Sequence, residues 1–249
     1  MPQFNKKKIK LKIYAILCTI IGDLNAKKVK NLISKIIRKK EKDISVKKDI
    51  ERLKKIGEIK DSLKLHFGCG TRILKNWINI DILYAKDWQR CYSENEYPKK
   101  CRGSRKDLFI IDLEKQAIPL PKNSVKIIFS EDFVEHLNQK EFVLFLAESH
   151  RILKHGGINH INSPDLIASM RKNSNFYNGR AGVYTNEWNK HGHINILTKK
   201  YLEELAEMIG YSKIIFVNKN QSKSKLIPIE LRPGNDRKEE EQIFCDLIK

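Results

Sequence analysis

The sequence predicts an α/β fold preceded by a basic helical extension. Three observations carry that expectation. From residue 63 onward, short β-rich runs alternate with helical stretches. The composition, 41% hydrophobic with 12 Gly and 7 Pro in 249 residues, supports a packed core and excludes global disorder and fibrous repeats. The charge is uneven: residues 1–60 hold 19 Lys+Arg against 6 Asp+Glu, whereas the rest of the chain is closer to balance within a total of +19.

The elements follow in order. Residues 1–62 are read as a pair of amphipathic basic helices. Leu11, Tyr14, Leu17 and Ile21 lie on one helical stripe, and Val29, Leu32, Ile33 and Ile36 on another, with a break at Gly22–Asn25. No cleavage-site pattern follows the short apolar stretch 13–21, so it is not read as a signal peptide. No run reaches the roughly 18 apolar residues of a membrane span. The extension is expected to be dispensable for folding and to meet an anionic surface, as a peripheral contact with a membrane's inner face; a packed, solvated helical extension is the plainer alternative.

Strands are predicted at residues 63–67, 78–82, 108–112, 125–130, 158–162, 213–217 and 242–248. Helices are predicted at 139–154, closed by the glycines of His155-Gly156-Gly157, and at 198–209, with Thr198 as N-cap and Gly210 as C-cap. Two polar excursions rich in aromatic residues interrupt the rhythm. Residues 84–107 hold Trp88, Tyr92 and Tyr97; residues 165–197 hold Phe176, Tyr177, Tyr184, Trp188, His191 and His193. Long excursions at the carboxyl ends of strands commonly carry substrate contacts. Five Cys without a C-x-x-C pair argue against a disulfide framework and for a reducing, cytoplasmic setting.

The chemistry concentrates where the first strand runs into Gly68-Cys69-Gly70. Two glycines one residue apart let the backbone turn sharply and approach a ligand closely, although a tight turn alone could account for them. Asp81 ends the next strand, where a carboxylate can accept from both hydroxyls of a ribose. The pattern lacks the third glycine of a dinucleotide fingerprint and the G-K-[ST] of a phosphate loop, so the loop suits a nucleoside without a pyrophosphate.

These residues resemble the cofactor-binding start of the class I S-adenosylmethionine-dependent methyltransferases (type 11-like), in the subgroup reading LHLGCG…GWINVDI. The resemblance continues in order through Asp112-Leu113 with Ile118–Pro121, Val125–Leu137 (VKIIFSEDFVEHL), Glu148–Gly157 (ESHRILKHGG), Ser163–Leu166 and Gly192-His193, covering about residues 63–249. It implies a Rossmann-like methyltransferase fold with a mixed seven-stranded sheet flanked by helices, and S-adenosylmethionine as cofactor. Gly68, Cys69 and Gly70 would pass under its methionine part. Asp81 would hold the ribose, Asp112 and Leu113 would flank the adenine, and Ser130 and Glu131 would stand beside the methyl group.

The plainer readings remain open: a strand-end carboxylate for Asp112, a helix N-cap pair for Ser130 and Glu131, and a structural histidine for His136. His193, Glu131 and His136 are the candidate bases, with His193 preferred. No metal is expected, because His191-Gly192-His193 has no Cys or acid at ligand spacing. Asn76 stands where the subgroup has glycine, Asp132 where it often has histidine, and His155 where it often has proline. The fifth strand is unusually polar. The implied function is methyl transfer to a small molecule or a saccharide. An RNA methyltransferase, or a non-catalytic module docking on membrane or nucleic acid, are the alternatives.

Overall fold

The computed structural model describes residues 23–82, 94–95, 97–113, 115–171, 188–228 and 239–249. The expectations for Leu11–Ile21, Trp88, Tyr92, Phe176, Tyr177 and Tyr184 lie outside the described residues. The chain divides into two compact units, Met1–Lys47 and Lys48–Lys249. Helix α1 (Asp23–Ile59) is continuous and includes Asp23, Leu24 and Asn25 of the expected break. Its portion in the first unit is a charged helix, on which Leu32 and Ile44 are exposed.

The second unit is built on one seven-stranded sheet. Its strands are β1 (Leu63–Phe67), β2 (Ile78–Asp81), β3 (Leu108–Ile110), β4 (Val125–Glu131), β5 (Leu153–Pro164), β6 (Lys213–Phe216) and β7 (Gln242–Ile248). The spatial order is β3-β2-β1-β4-β5-β7-β6. β7 runs antiparallel between β5 and β6, and all other pairs are parallel. The predicted mixed seven-stranded sheet is therefore the observed one. β1 and β4 are neighbours whose following chains depart in opposite directions, and open α/β sheets bind ligands at such a switch point.

One face of the sheet is covered by helices α2 (Gln139–Ile152) and α3 (Lys199–Ile209) and by the last turns of α1. Phe142, Phe145, Leu146, Leu202 and Ala206 bury their sides of these helices against Leu65, Phe67, Ile128 and Ile161. Asn138 and Glu141 form a capping box at the start of α2. Thr198 caps α3 through the Tyr201 N–H, and Gly210, in the left-handed region at φ 108°, closes it. Gly156 and Gly157 do not cap α2, contrary to the sequence expectation. The helix already ends at Ile152, and the two glycines lie inside β5, where the register against β4 shifts as a bulge.

The sequence boundary after residue 62 places all of α1 outside the α/β domain, yet its last turns are in the core of the second unit. Leu53 is fully buried there, and Ile56 packs beside it. Asp49 is buried; its carboxylate accepts from the Ile110 N–H (3.0 Å) and from Arg105 (2.9 Å). Arg52 donates to the Leu108 carbonyl (2.5 Å) and lies over the Phe109 ring. β3 is an edge strand, and these side chains take up backbone groups that a neighbouring strand would otherwise satisfy.

The opposite face is covered by loops, with Leu74, Trp77, Tyr97 and Ile227 packed on Ile127, Phe129 and Ile158. No helix forms between β1 and β2; the Asn79 side chain makes several of the bonds that hold the crossover. Asn79 is fully buried, accepts from the Leu74 N–H (2.8 Å), and donates to the carbonyls of Leu74, Trp77 and Asp107. Asn76 has φ 65°, a conformation that glycine favours and that asparagine tolerates best among the others, which explains its exchange for the subgroup's glycine. The polar fifth strand is also explained. His160 pairs with Asp246 of β7 (2.6 Å), Asn159 donates to the Tyr211 hydroxyl, and Asn162 donates to the Ile243 carbonyl. Asp246 also accepts from the Ser222 hydroxyl and the Lys223 N–H. A buried strand can be polar when its polar groups are paired.

His66, in the middle of β1, is fully buried and stacks on Phe129 at 5.0 Å. Burial, and then the Arg72 guanidinium nearby, depresses it to about 3 against the opposing effect of its hydrogen bond to Asn79 Oδ1. The unfolded chain takes up a proton below about pH 6.5, and the folded chain does not. The stability His66 contributes is therefore complete above that pH and is lost progressively as pH falls towards 3. We expect a loss of about 2 kcal/mol from this residue between pH 7 and 5, at about 1.4 kcal/mol per unit. Denaturant melts of wild type and His66→Leu should show it as a flatter pH profile in the variant; parallel profiles would refute the assignment.

Candidate cofactor and acceptor site

The carboxyl edge of the sheet brings the sequence-predicted residues into one row. Phe67 of β1 is in register with Ile80 of β2 and Ser130 of β4, and Asp81 with Ile110 of β3. Across the edge stand Asp112, Asp81, the Gly68–Gly70 loop, and Ser130 with Glu131. That order follows from strand pairing and not from sequence order.

The loop conformation rests on two glycines with different duties. Gly68 (φ 61°) donates to the Ile80 carbonyl, and a Cβ there would lie 2.6 Å from Phe133 Cβ and Cδ2. Gly70 (φ 52°) has nothing within 4 Å of the position a Cβ would take. The first glycine is thus required by packing, and the second opens into space beside Asp81. The Gly70 N–H donates to Asp81 Oδ2 at 2.7 Å, tying the loop to the end of β2. Cys69 is buried; burial, reinforced by the Asp81 carboxylate, raises its thiol well above the ordinary range and keeps it protonated.

Asp112 is partly buried and pairs with the exposed Lys115 (2.5 Å), an i,i+3 surface contact of little strength. Leu113 packs partly buried against the core. Ser130 Oγ is buried with no hydrogen-bond partner among the described residues. An open cradle at Gly70, a carboxylate beside it and an orphaned hydroxyl at the end of β4 fit a nucleoside cofactor laid along this edge.

Glu131 is not an open base. Arg72, which follows the glycine loop, forms a buried ion pair with it. Sequence reasoning passed over Arg72 because nothing in one chain's order shows a guanidinium meeting a carboxylate 59 residues away. The pair joins the loops after β1 and β4 across the switch point.

Beyond β4, a single 3-10 turn, Val134–His136, is anchored by buried Val134. The Glu135 carbonyl accepts from the Ile194 and Asn195 N–H groups (2.8 and 3.1 Å), which brings the segment carrying His193 onto this turn. Glu135 is fully buried, with its Oε1 3.9 Å from His193 Nε2. The His136 and His193 rings meet edge to face at 4.9 Å, and His191 stacks on His193 at 5.5 Å. Burial, and then the neighbouring His193, lowers the pKa of His136. Trp188 is exposed on the same segment. The structure therefore gathers His136 and His193 around Glu135, a residue the sequence reading did not single out, and leaves Glu131 bound to Arg72.

Residues 65–161 match the model of a methyltransferase domain. Comparison with curated proteins gives no match. Similar solved structures include an S-adenosylmethionine-dependent methyltransferase from Archaeoglobus fulgidus (16% identity, 82% of this chain and 95% of that one, TM-score 0.48). Another, from Thermotoga maritima, has 16% identity over 88% of this chain and 97% of that one, with a TM-score of 0.46. A TehB-like S-adenosylmethionine-dependent methyltransferase from Corynebacterium glutamicum has 16% identity over 81% of this chain and 87% of that one, with a TM-score of 0.42. The matched residues 65–161 hold the glycine loop, Asp81, Asp112 and strand β4, and are similar to a methyltransferase domain.

Proposed function

We propose that the chain transfers a methyl group from S-adenosylmethionine to a small molecule or a saccharide. The observation that carries the cofactor assignment is the pairing of an open Gly70 with Asp81 at the carboxyl edge of the switch point. Gly68, Cys69 and Gly70 would hold the methionine part by their backbone, Asp81 the ribose, Asp112 and Leu113 the adenine, and Ser130 would donate or accept at the end of β4. S-adenosylmethionine supplies a methyl group already activated on a sulfonium. What is left to the protein is to align the acceptor, exclude water and, for a hydroxyl acceptor, take its proton. Glu131 is set aside as that base because Arg72 holds it. His193 and His136, beside Glu135, are the acceptor-side groups. The saccharide or small-molecule acceptor is favoured over RNA because the chain's positive charge comes from Lys far more than Arg, and Arg is the residue suited to reading bases. The net charge of residues 1–60 favours an anionic surface as the partner of the extension.

The test is cofactor binding by calorimetry. Asp81→Ala is expected to weaken S-adenosylmethionine binding by about 1.5–3 kcal/mol, the loss of hydrogen bonds to a charged group. Asp81→Asn, which can still accept from Gly70, should fall between wild type and Ala. Wild-type affinity in both variants would sink the ribose assignment, and no binding by the wild-type chain would sink the function.

A further inference from the structure

Glu135, His136 and His193 each present one ligand atom, and those three atoms lie within 4.8 Å of one another. We propose that they bind a divalent first-row cation, zinc by preference, in a three-ligand site with one position left open. The donor set is two imidazoles and a carboxylate, which suits such cations and leaves room for an oxygen donor: water, or a hydroxyl or carboxylate of the acceptor.

Geometry supports the assignment. Ligands 2.0–2.1 Å from a tetrahedral zinc stand roughly 3.4 Å apart. His193 Nε2 and Glu135 Oε1 are already at 3.9 Å. Convergence therefore takes shifts on the order of 0.5–1.4 Å. His136 is exposed to solvent, whereas Glu135 and His193 are buried. The two segments are held together independently of any ligand by the bonds from Ile194 and Asn195 to the Glu135 carbonyl. Gly192, in the left-handed region at φ 67° with open space where a Cβ would be, supplies the turn that returns His193 to this turn of chain. His136 also bonds to the Gly192 backbone, a further tie between the two segments. The sequence argument against a metal was the absence of an acid near the His191–His193 pair; the fold supplies one from residue 135.

This site stands on side chains distinct from those assigned to the cofactor, so its fate does not depend on methyl transfer. The experiment is titration of the tag-free, full-length chain with zinc by calorimetry, and with cobalt by visible absorption. Wild type is expected to take up one equivalent, with the intense visible bands of tetrahedral cobalt. His136→Ala, an exposed position where folding is safe, and the isosteric Glu135→Gln should each weaken binding at least about tenfold, since even outer-shell partners cost 10–100-fold. Zinc should raise the melting temperature of wild type and not of the variants. No uptake by the wild-type chain overturns the proposal and returns His193 to the role of base. Equal affinity in wild type and both variants overturns it as well.

Discussion

A chain starting at Asp61 will fail to fold cooperatively, whereas one starting at Lys48 will fold. The difference is the last turns of α1. Removing fully buried Leu53 deletes a core side chain, and Leu→Ala at such sites costs about 2–5 kcal/mol by itself. Removing Asp49 leaves the Ile110 N–H without its acceptor, at about 1–3 kcal/mol for a buried group. Removing Arg52 takes away one of the two guanidinium donors to the Leu108 carbonyl, the other being Arg105, and uncovers the Phe109 ring. Together these losses approach the whole stability of an ordinary domain, about 5–15 kcal/mol, and they bare an unpaired strand edge that promotes aggregation. Denaturant melts of the two truncated chains and of full-length Leu53→Ala check this. A 61–249 fragment that stays monomeric and melts like 48–249 would overturn the structural role of these turns.

The two glycines of the loop should separate folding from binding. Gly68→Ala forces a Cβ into Phe133 at 2.6 Å in a left-handed conformation. The conformation costs about 1–2 kcal/mol and the overpacking a further 1–3 kcal/mol. Gly70→Ala meets the first cost alone, because its Cβ would enter open space. That space is where the cofactor backbone contact is proposed, so cofactor affinity should fall by at least about tenfold, or about 1.4 kcal/mol. Melting temperature and calorimetry together read the split. A Gly70→Ala chain with undiminished cofactor affinity, or a Gly68→Ala chain as stable as wild type, would contradict the assignment of duties.

Much of this is visible before folding. Short β-rich runs marked each strand, and Thr198 and Gly210 marked both ends of α3, because those signals are local. The bulge at Gly156 and Gly157 was read as a helix cap, because a glycine with positive φ carries the same letter in both settings. The polar fifth strand looked anomalous alone; Asp246 and Tyr211, which pair its side chains, arrive from far along the chain.

By itself, then, the sequence determined the alternating elements, the glycine loop and the acids at the strand ends, since each depends on neighbours a few residues apart. The tertiary structure alone decided the rest. It joined Arg72 to Glu131 in a buried ion pair across the switch point. It carried His193 onto Glu135 and His136, and it pressed the end of a charged helix onto the edge strand. Each of these is a meeting of side chains distant in sequence, fixed by strand order and backbone hydrogen bonds, and periodicity within a window cannot register such meetings.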